Sequence, residues 1–167
     1  MKNIVLIGLP ASGKSTVAAC VAQELNRPLA DTDILIEAEA GKSIAAIFQD
    51  EGEGAFRARE KEMLLCLAKE EGKVIATGGG AVLHTDAMKL LKKNALIFYL
   101  DRPLQEIRKD MGGAERPLLQ GDMKKLEELY RSRDKLYRKA ADYVLSGGTL
   151  EELTETVTMF AELVSEE

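Results

Sequence analysis

Gly8-Leu9-Pro10-Ala11-Ser12-Gly13-Lys14-Ser15-Thr16 is the stretch of sequence that decides the fold. It matches the phosphate-binding pattern G-x-x-x-x-G-K-[ST]. An apolar run at residues 4–7 precedes it and is typical of a buried parallel strand. Apolar side chains at helical spacing follow it over residues 17–25. Because the pattern needs a strand before it and a helix after it, this context favours a phosphate-binding loop over an ordinary glycine-rich turn with a surface lysine.

The chemistry of this loop follows from its residue types. Gly8 and Gly13 permit backbone conformations that other residues avoid, and they let the main chain approach a ligand closely. The loop N–H groups and the start of the next helix then form an anion site. Lys14 would bridge the β- and γ-phosphates of a nucleotide, and the Ser15 hydroxyl would ligate Mg²⁺. The predicted nucleotide-binding residues of the loop are Ala11, Ser12, Gly13, Lys14, Ser15 and Thr16.

Length and composition limit the class of protein. A chain of 167 residues suits one domain, and 46% hydrophobic with 31% charged residues is ordinary for a soluble protein. The net charge of −5 argues against non-specific binding to nucleic acid or membranes. The apolar runs are too short for a membrane span or a signal peptide, so we expect a cytoplasmic protein. No exposed apolar stripe demands a partner, and we expect a monomer.

Cysteine and histidine offer little sign of a metal centre. Cys20 and Cys66 lie in helical patterns with no second cysteine nearby, so neither a disulfide nor a metal site is indicated. We predict that both are buried free thiols. His84 follows an apolar stretch, and we predict it at a helix edge or in solvent rather than as a ligand.

Strands alternate with helices along the whole chain. The strands are predicted at about residues 3–7, 29–30, 73–76, 95–100 and 143–145, and a long helix is predicted from about 55 to 71. Such alternation predicts an α/β fold, in which helices cover both faces of a parallel sheet.

Polar or glycine clusters follow three of the predicted strands, at residues 8–16, 31–33 and 77–80. Ligands of parallel sheets bind beyond the carboxyl ends of the strands. We therefore expect these three clusters to form one site.

Two carboxylates, Asp31 and Asp33, stand where the second predicted strand gives way to a helix. One can face a cation and the other a substrate hydroxyl. Phosphoryl transfer needs both, since Mg²⁺ neutralises developing charge and a carboxylate orients or deprotonates the acceptor. The alternative is a helix N-cap aspartate beside a turn aspartate.

Arg57 and Glu60 share a helix face at i, i+3. Such a pair is most often a surface pair, but opposite a substrate carboxylate Arg57 would be a bidentate anchor. The triplet Gly78-Gly79-Gly80 would let the backbone come close to a ligand, and the alternative is a loop that needs positive φ.

The loop at residues 111–121 carries Arg116-Pro117-Leu118-Leu119 and has glycines near both ends. A loop of this length can close as a lid and bring Arg116 to the phosphates as an arginine finger. The alternative is a mobile surface arginine. On the helix that follows, Arg131 and Arg138 share a face while Arg133 points elsewhere.

Six motifs, in this order and spacing, resemble the shikimate kinase family. They are the phosphate loop, Asp31-Thr32-Asp33, Phe56-Arg57-x-x-Glu60, Gly78-Gly79-Gly80, Arg116-Pro117-Leu118-Leu119 and Arg133-x-x-x-Tyr137. The resemblance runs from residue 3 to about residue 145. It implies a three-layer fold of the P-loop kinase type with a five-stranded parallel sheet, a substrate-binding helical region at about 33–60 and a lid at about 110–122, all within a single domain over residues 1–167. It also implies an ATP-dependent kinase that phosphorylates the 3-hydroxyl of shikimate, in chorismate and aromatic amino acid biosynthesis.

The resemblance implies roles for the nucleotide side of the site. Residues 11–16 would hold the phosphates of ATP. Mg²⁺ would be held by Ser15 and, through water, by Asp31. Lys109 would lie against adenine. The catalytic residues would be Lys14, Asp33 and Arg116, the last at the transferring phosphate.

The resemblance also implies roles on the acceptor side. Asp33 would contact the shikimate hydroxyls and orient or accept the proton of the attacking one. Arg57 and Arg133 would bind the shikimate carboxylate, and Glu60 would orient Arg57. The triplet Gly78, Gly79 and Gly80 would close over the ring.

Three positions depart from the family pattern on the nucleotide side. Ala76 replaces a serine that often helps to hold the metal's water, and Lys109 replaces an arginine that often stacks on adenine. The loop Ser146-Gly147-Gly148 lacks the usual polar or basic side chains. Asp101, after an apolar strand, mimics a Walker B aspartate, although the family pattern gives the metal to Asp31.

Two other functions stay open from the sequence. One is another P-loop hydroxy-acid kinase, such as a gluconate kinase. The other is a nucleotide-binding regulatory protein without catalysis, which only Ala76 and the bare adenine loop support.

Overall fold

The structure is a computed structural model that describes residues 1–110 and 123–165, and at its centre lies a five-stranded sheet. Its strands are β1 (Asn3–Ile7), β2 (Leu29–Asp31), β3 (Val74–Ala76), β4 (Ala95–Asp101) and β5 (Tyr143–Ser146). The order across the sheet is β2-β3-β1-β4-β5, and every neighbouring pair is parallel. The predicted α/β fold with five parallel strands is confirmed.

Helices connect the strands. They are α1 (Lys14–Glu24), α2 (Thr32–Ala40), α3 (Ile44–Glu51), α4 (Glu53–Leu67), α5 (Thr85–Lys92), α6 (Leu104–Asp110), α7 (Met123–Ala140) and α8 (Leu150–Ser165), with a 3₁₀ helix at Ala81–Leu83. The prediction that α4 reaches residue 71 is wrong. The N–H groups of Lys69 and Glu70 bond to carbonyls only three residues back, so the chain tightens into turns and the helix ends at Leu67.

The continuous apolar character of β1 is explained by helices on both sides of the sheet. Val5 and Ile7 belong to a buried cluster that includes side chains of α4, α5 and α7. Ile4 and Leu6, which point to the opposite face, belong to a cluster with α1 and α8. A strand covered on both faces has no side that should be polar.

A third, smaller cluster lies in the predicted substrate-binding helical region. Ile36, Ile47 and Phe56 bring α2, α3 and α4 together, and the rings of Phe48 and Phe56 are 5.0 Å apart. This cluster fixes the part of α4 that carries Arg57 and Glu60. The division into one domain with this region and a lid stays a prediction, because the lid lies outside the described residues except for Asp110.

The predicted burial of Cys20 and Cys66 is wrong. Both thiols are free, as predicted, but both are exposed. The buried side of α1 is formed by Val17, Ala18 and Val21, which leaves Cys20 on the outer side. Within the described ranges, no helix has the length and apolarity needed to cross a membrane.

Candidate active site

The carboxyl ends of the strands meet at one edge of the sheet, where a cleft opens. The phosphate loop follows β1, Asp31 ends β2 and the glycine triplet follows β3. The cleft is lined by Ala11, Gly13, Lys14, Ser15, Thr16, Asp33, Thr77, Gly78, Gly79, Asp110 and Leu150. The three clusters that we expected to form one site therefore lie side by side.

The phosphate loop needs its two glycines. Gly8 has a φ of +151° and Gly13 a φ of +94°. A Cβ on Gly13 would also collide with the side chain of Leu150. Gly13 precedes α1 without a side chain to cap it, which leaves the first N–H groups of this helix for an anion.

Lys14 lies inside the loop. Its ammonium donates hydrogen bonds to the carbonyls of Gly8 (2.9 Å) and Leu9 (2.6 Å), and the residue is only 6% exposed. Five of the six predicted loop residues line the cleft, whereas Ser12 is buried beneath it.

Ser15 and Asp31 form an oxygen pair at the side of the cleft. Ser15 Oγ donates to Asp31 Oδ2 at 2.6 Å. Asp31 Oδ1 caps α2 by accepting the N–H groups of Asp33 (3.1 Å) and Ile34 (3.3 Å). Asp31 is therefore a helix N-cap, and its second oxygen still faces the predicted metal ligand. Hard oxygen donors of this kind suit Mg²⁺.

Asp33 lies between the phosphate loop and the acceptor side. A Cβ on Gly78 would be 2.9 Å from Asp33 Oδ1 and 2.6 Å from Glu60 Oε2, so both carboxylates rest against this glycine. Asp33 also lines the cleft together with Lys14. This position is the one expected of a group that handles an acceptor hydroxyl near the γ-phosphate.

Each glycine of the triplet is required by a close neighbour. A Cβ on Gly79 would be 2.7 Å from Pro10, and one on Gly80 would collide with the guanidinium of Arg57. None of the three has a positive φ, so the alternative explanation of the triplet is wrong. Close approach, rather than an unusual backbone conformation, is the reason for these glycines.

Other elements hold the triplet in place. The N–H of Gly78 donates to Thr32 Oγ1 at 3.0 Å, and the Tyr137 hydroxyl donates to the carbonyl of Gly79 at 2.5 Å. The triplet thus fixes the start of α2 and the C-terminal part of α7 relative to each other.

Arg57 and Glu60 do not form a surface pair. Arg57 Nη1 donates to Glu60 Oε1 at 2.8 Å, and the Glu60 side chain is 1% exposed. The same oxygen lies 3.0 Å from His84 Nε2. His84 does cap a helix edge, at the start of α5, but its contact with Glu60 was not predicted. The available signal was its place just four residues after Gly80.

Arg133 faces the same region from α7. It is 6% exposed, and its Nη1 is buried without a hydrogen-bond partner in the described part of the chain. Tyr137, one turn later on the same face, is buried, and burial raises the pKa of its hydroxyl to about 12, although nearby Arg133 lowers it. Arg131 and Arg138 are exposed, as the helical spacing predicts.

One predicted nucleotide-binding residue among those described, Lys109, faces solvent rather than the cleft. The Lys109 side chain is 72% exposed and lies 3.5 Å from Glu106. Arg116 lies outside the described residues.

Asp101, the residue that mimics a Walker B aspartate, accepts a hydrogen bond from Arg138. Ala76 is buried in β3.

The fold and this site define a P-loop kinase that acts on a small molecule. A shikimate kinase family model matches residues 10–164. The chain is 43% identical over 164 residues to the shikimate kinase of Clostridium botulinum strain 657, with 96% of both chains covered. It is 44% identical over 152 residues to that of Burkholderia thailandensis, covering 87% of this chain and 81% of the relative. The chain belongs to the shikimate kinase family.

A solved structure agrees with this assignment. The shikimate kinase of Acinetobacter baumannii in complex with shikimate has a TM-score of 0.91 and 33% identity, covering 100% of this chain and 95% of that one. A gluconokinase from Sinorhizobium meliloti is 14% identical with a TM-score of 0.63, a likeness that shows the fold alone.

Proposed function

We propose that this chain transfers the γ-phosphoryl group of ATP to the 3-hydroxyl of shikimate, giving ADP and shikimate 3-phosphate. The family is one of ATP-dependent kinases. The observation that carries the choice of acceptor is a pair of largely buried guanidiniums, that of Arg57 against Gly80 and that of Arg133 beside Tyr137. With Asp33 beside them, they suit a molecule that carries one carboxylate and several hydroxyls.

The two arginines would bind the acceptor's carboxylate. Arg57 is held at Gly80 by Glu60, and Arg133 has a buried nitrogen that is without a partner in the described structure. A buried donor without a partner costs free energy, which a bound carboxylate would relieve. The triplet would form the floor on which the ring lies.

Asp33 would handle the attacking hydroxyl. Its carboxylate lies against Gly78 and lines the cleft that also contains Lys14. It would accept the hydrogen bond of the 3-hydroxyl, and it would either orient this group or take its proton as the bond to phosphorus forms.

The phosphate loop would hold ATP through its N–H groups and Lys14. The ammonium would exchange its bonds to the Gly8 and Leu9 carbonyls for phosphate oxygens. Arg116 would reach the transferring phosphate from the lid, and Lys109 would lie against adenine from α6. The role of Arg116 is supported by the match to the family's Arg-Pro-Leu-Leu motif, and that of Lys109 by its place where the family often has an arginine.

The family generally works with a divalent metal, and we propose that it is Mg²⁺ here. Ser15 and Asp31 would hold it, with phosphate and water oxygens completing its shell. When bound, it would neutralise charge on the phosphates. The fit is supported by the all-oxygen pair 2.6 Å apart.

We also propose a monomer in the cytoplasm, with no nucleic-acid or membrane partner. The net charge of −5 supports the second part, because an acidic protein is repelled by nucleic acid and by anionic lipid.

A coupled assay of ADP release with shikimate, gluconate or no acceptor tests the proposed reaction. We expect ADP release only when shikimate is the acceptor. Phosphorus NMR of the product should show one phosphate ester on the 3-oxygen. Turnover of gluconate without shikimate would instead identify a gluconate kinase. Nucleotide binding without turnover of either would indicate a regulatory protein.

A further inference from the structure

His84, the only histidine of the chain, lies at the acceptor side of the site. It follows the 3₁₀ helix that leads out of the glycine triplet, and its side chain is 12% exposed. Its Nε2 lies 3.0 Å from Glu60 Oε1. Because a carboxylate paired with an arginine acts as an acceptor, Nε2 carries the hydrogen and donates it to Glu60.

Glu60 receives two donors on one oxygen. Oε1 accepts from His84 and, at 2.8 Å, from Arg57 Nη1. Oε2 is buried against Gly78, where a Cβ would be 2.6 Å away. Two donors on one side and the backbone on the other leave the carboxylate a single orientation.

Arg57 also contacts a second, exposed carboxylate. Arg57 Nη2 is 3.3 Å from Glu53, one turn earlier on α4, and the Glu53 side chain is 56% exposed. Glu60, by contrast, is 1% exposed. Arg57 makes both contacts while its guanidinium lies against Gly80, and the contact with the buried carboxylate is the shorter and less solvent-screened of the two. An imidazole that fixes Glu60 therefore helps to fix the guanidinium at Gly80.

We propose that His84 is a positioning residue for the acceptor: by donating a hydrogen bond to Glu60, it holds Arg57 where the substrate carboxylate would bind. The inference rests on the proposed function. It concerns binding of the acceptor and not of ATP, because the side-chain contact of His84 is with Glu60 on α4, the partner of Arg57, rather than with residues 11–16.

Two substitutions separate the hydrogen bond from packing. His84→Leu removes the donor and keeps an apolar side chain, whereas His84→Gln keeps an N–H at a similar reach. We expect His84→Leu to raise the KM for shikimate about tenfold, with kcat and the KM for ATP within about twofold, since a hydrogen bond to a charged group is lost. His84→Gln should recover most of the loss. Leu83→Gln, at an exposed neighbour in the 3₁₀ helix, is the matched control and should change nothing.

A double-mutant cycle and a spectroscopic measurement show whether His84 acts through Glu60. In a Glu60→Gln background, His84→Leu should have little further effect, because the two residues act in one chain of contacts. In the full chain without an affinity tag, the single set of histidine ring NMR signals should shift on addition of shikimate and much less with ADP. Thermal unfolding of each variant checks that the fold is kept.

Three results would overturn the inference: an unchanged shikimate KM in His84→Leu, an equal loss in His84→Gln, or additive effects in the cycle. An unsubstituted chain that does not turn over shikimate would instead overturn the proposed function itself and, with it, the role of His84.

Discussion

At the scale of single residues, the charged side chains of the proposed acceptor site are largely buried, whereas those of the surface ion pairs are exposed. Arg57 and Arg133 are charged side chains near or below 15% exposure, and Arg57 lies directly against Gly80. Surface ion pairs of the chain, such as Lys109 with Glu106, are exposed and contribute little. Burying cations without complete pairing costs stability, which is typical of groups that await an anionic ligand.

Asp33→Asn tests the role of the carboxylate. We expect kcat to fall by about a hundredfold or more, since the amide cannot take a proton from the acceptor. ADP binding, measured by calorimetry, should stay close to that of the unsubstituted chain, because the loop of residues 11–16 is intact. Unchanged turnover would remove Asp33 from the reaction, and a parallel loss of ADP affinity would place it on the nucleotide side.

Arg57→Ala tests the placement of the acceptor. The KM for shikimate should rise by about a hundredfold, since a charge-assisted contact of about 3 kcal/mol is lost, while the KM for ATP changes little. Arg59→Ala is the matched control, because Arg59 is on the same helix and pairs only with the partly exposed Glu51 at 3.4 Å among the contacts of the described chain. If the KM for ATP moved instead, the acceptor site would lie elsewhere.

At the scale of elements, the segment after β3 joins the elements that form the proposed acceptor site. The triplet contacts the phosphate loop at Pro10, α2 at Thr32, α4 at Arg57 and α7 at Tyr137. No side chain on the triplet separates these elements. A small displacement of any of them would therefore move the groups that face the substrate.

Tyr137 links α7 to the triplet, and its pKa gives a pH-dependent test. Burial raises this pKa to about 12 from an ordinary value of 10.0. A pKa raised in the folded state stabilises the protein below the unfolded value and loses that contribution as the pH rises. The free energy of unfolding should thus fall by about 2–3 kcal/mol between pH 10 and 12 from this residue. Burial also raises the pKa of Tyr99, which adds to the decline in the same direction.

Tyr137→Phe should reduce that decline, as measured by urea unfolding at a series of pH values. At pH 8 it should lower the free energy of unfolding by about 1 kcal/mol, because the Gly79 carbonyl loses its donor. The KM for shikimate should rise as the triplet loosens. An identical pH profile in both proteins would show that the hydroxyl does not contribute.

The strands and helices could be predicted closely from the sequence. The burial of individual side chains and the contacts between elements could not. Strands such as β4 are short β-branched and aromatic runs, whose pattern is local. The exposure of Cys20 depends on which side of α1 meets the sheet, and the apolar spacing did not resolve this. His84 was missed because its partner lies 24 residues away on another helix, a distance that no local pattern covers.

The roles of Asp31 show a different limit. The sequence left a helix cap and a metal ligand as alternatives, and the structure shows that Asp31 caps α2 with one oxygen and accepts a hydrogen bond from Ser15 with the other. The two roles are therefore compatible, and the metal ligand stays a prediction. The six motifs identified the family because their order and spacing are specific. The reason for each glycine became clear only from its neighbours in space.

At the scale of the whole molecule, the strand order places the phosphate loop between the two halves of the site. β1 is central, with β3 on one side and β4 on the other. On the β3 side lies the proposed acceptor site. On the β4 side, Arg102 donates to the Ser12 carbonyl (3.4 Å) and to Asp110 (2.8 Å), the last described residue before the predicted lid.

The helix that carries Arg133 is tied to β4. The hydroxyl of Tyr99 donates to Asp134 at 2.9 Å, and Arg138 donates to Asp101 and Asp134. These contacts fix the rotation of α7, and hence the direction in which Arg133 and Tyr137 face. Asp101 therefore helps to orient α7 through Arg138. This contact accounts for the aspartate without a role as a metal ligand.

Metal removal should separate catalysis from folding in this molecule. In the described residues no group of three or more histidine, cysteine or acidic side chains could hold an ion. A metal on Ser15 and Asp31 would depend mainly on phosphate and water oxygens, which only the nucleotide brings. We expect EDTA to abolish turnover and Mg²⁺ to restore it, while the Tm of the nucleotide-free protein stays within about 1 °C in either condition, because a ligand that does not bind the folded state cannot stabilise it. A large fall of Tm with EDTA would instead reveal a structural ion, and turnover that persists in EDTA would remove the metal from the mechanism.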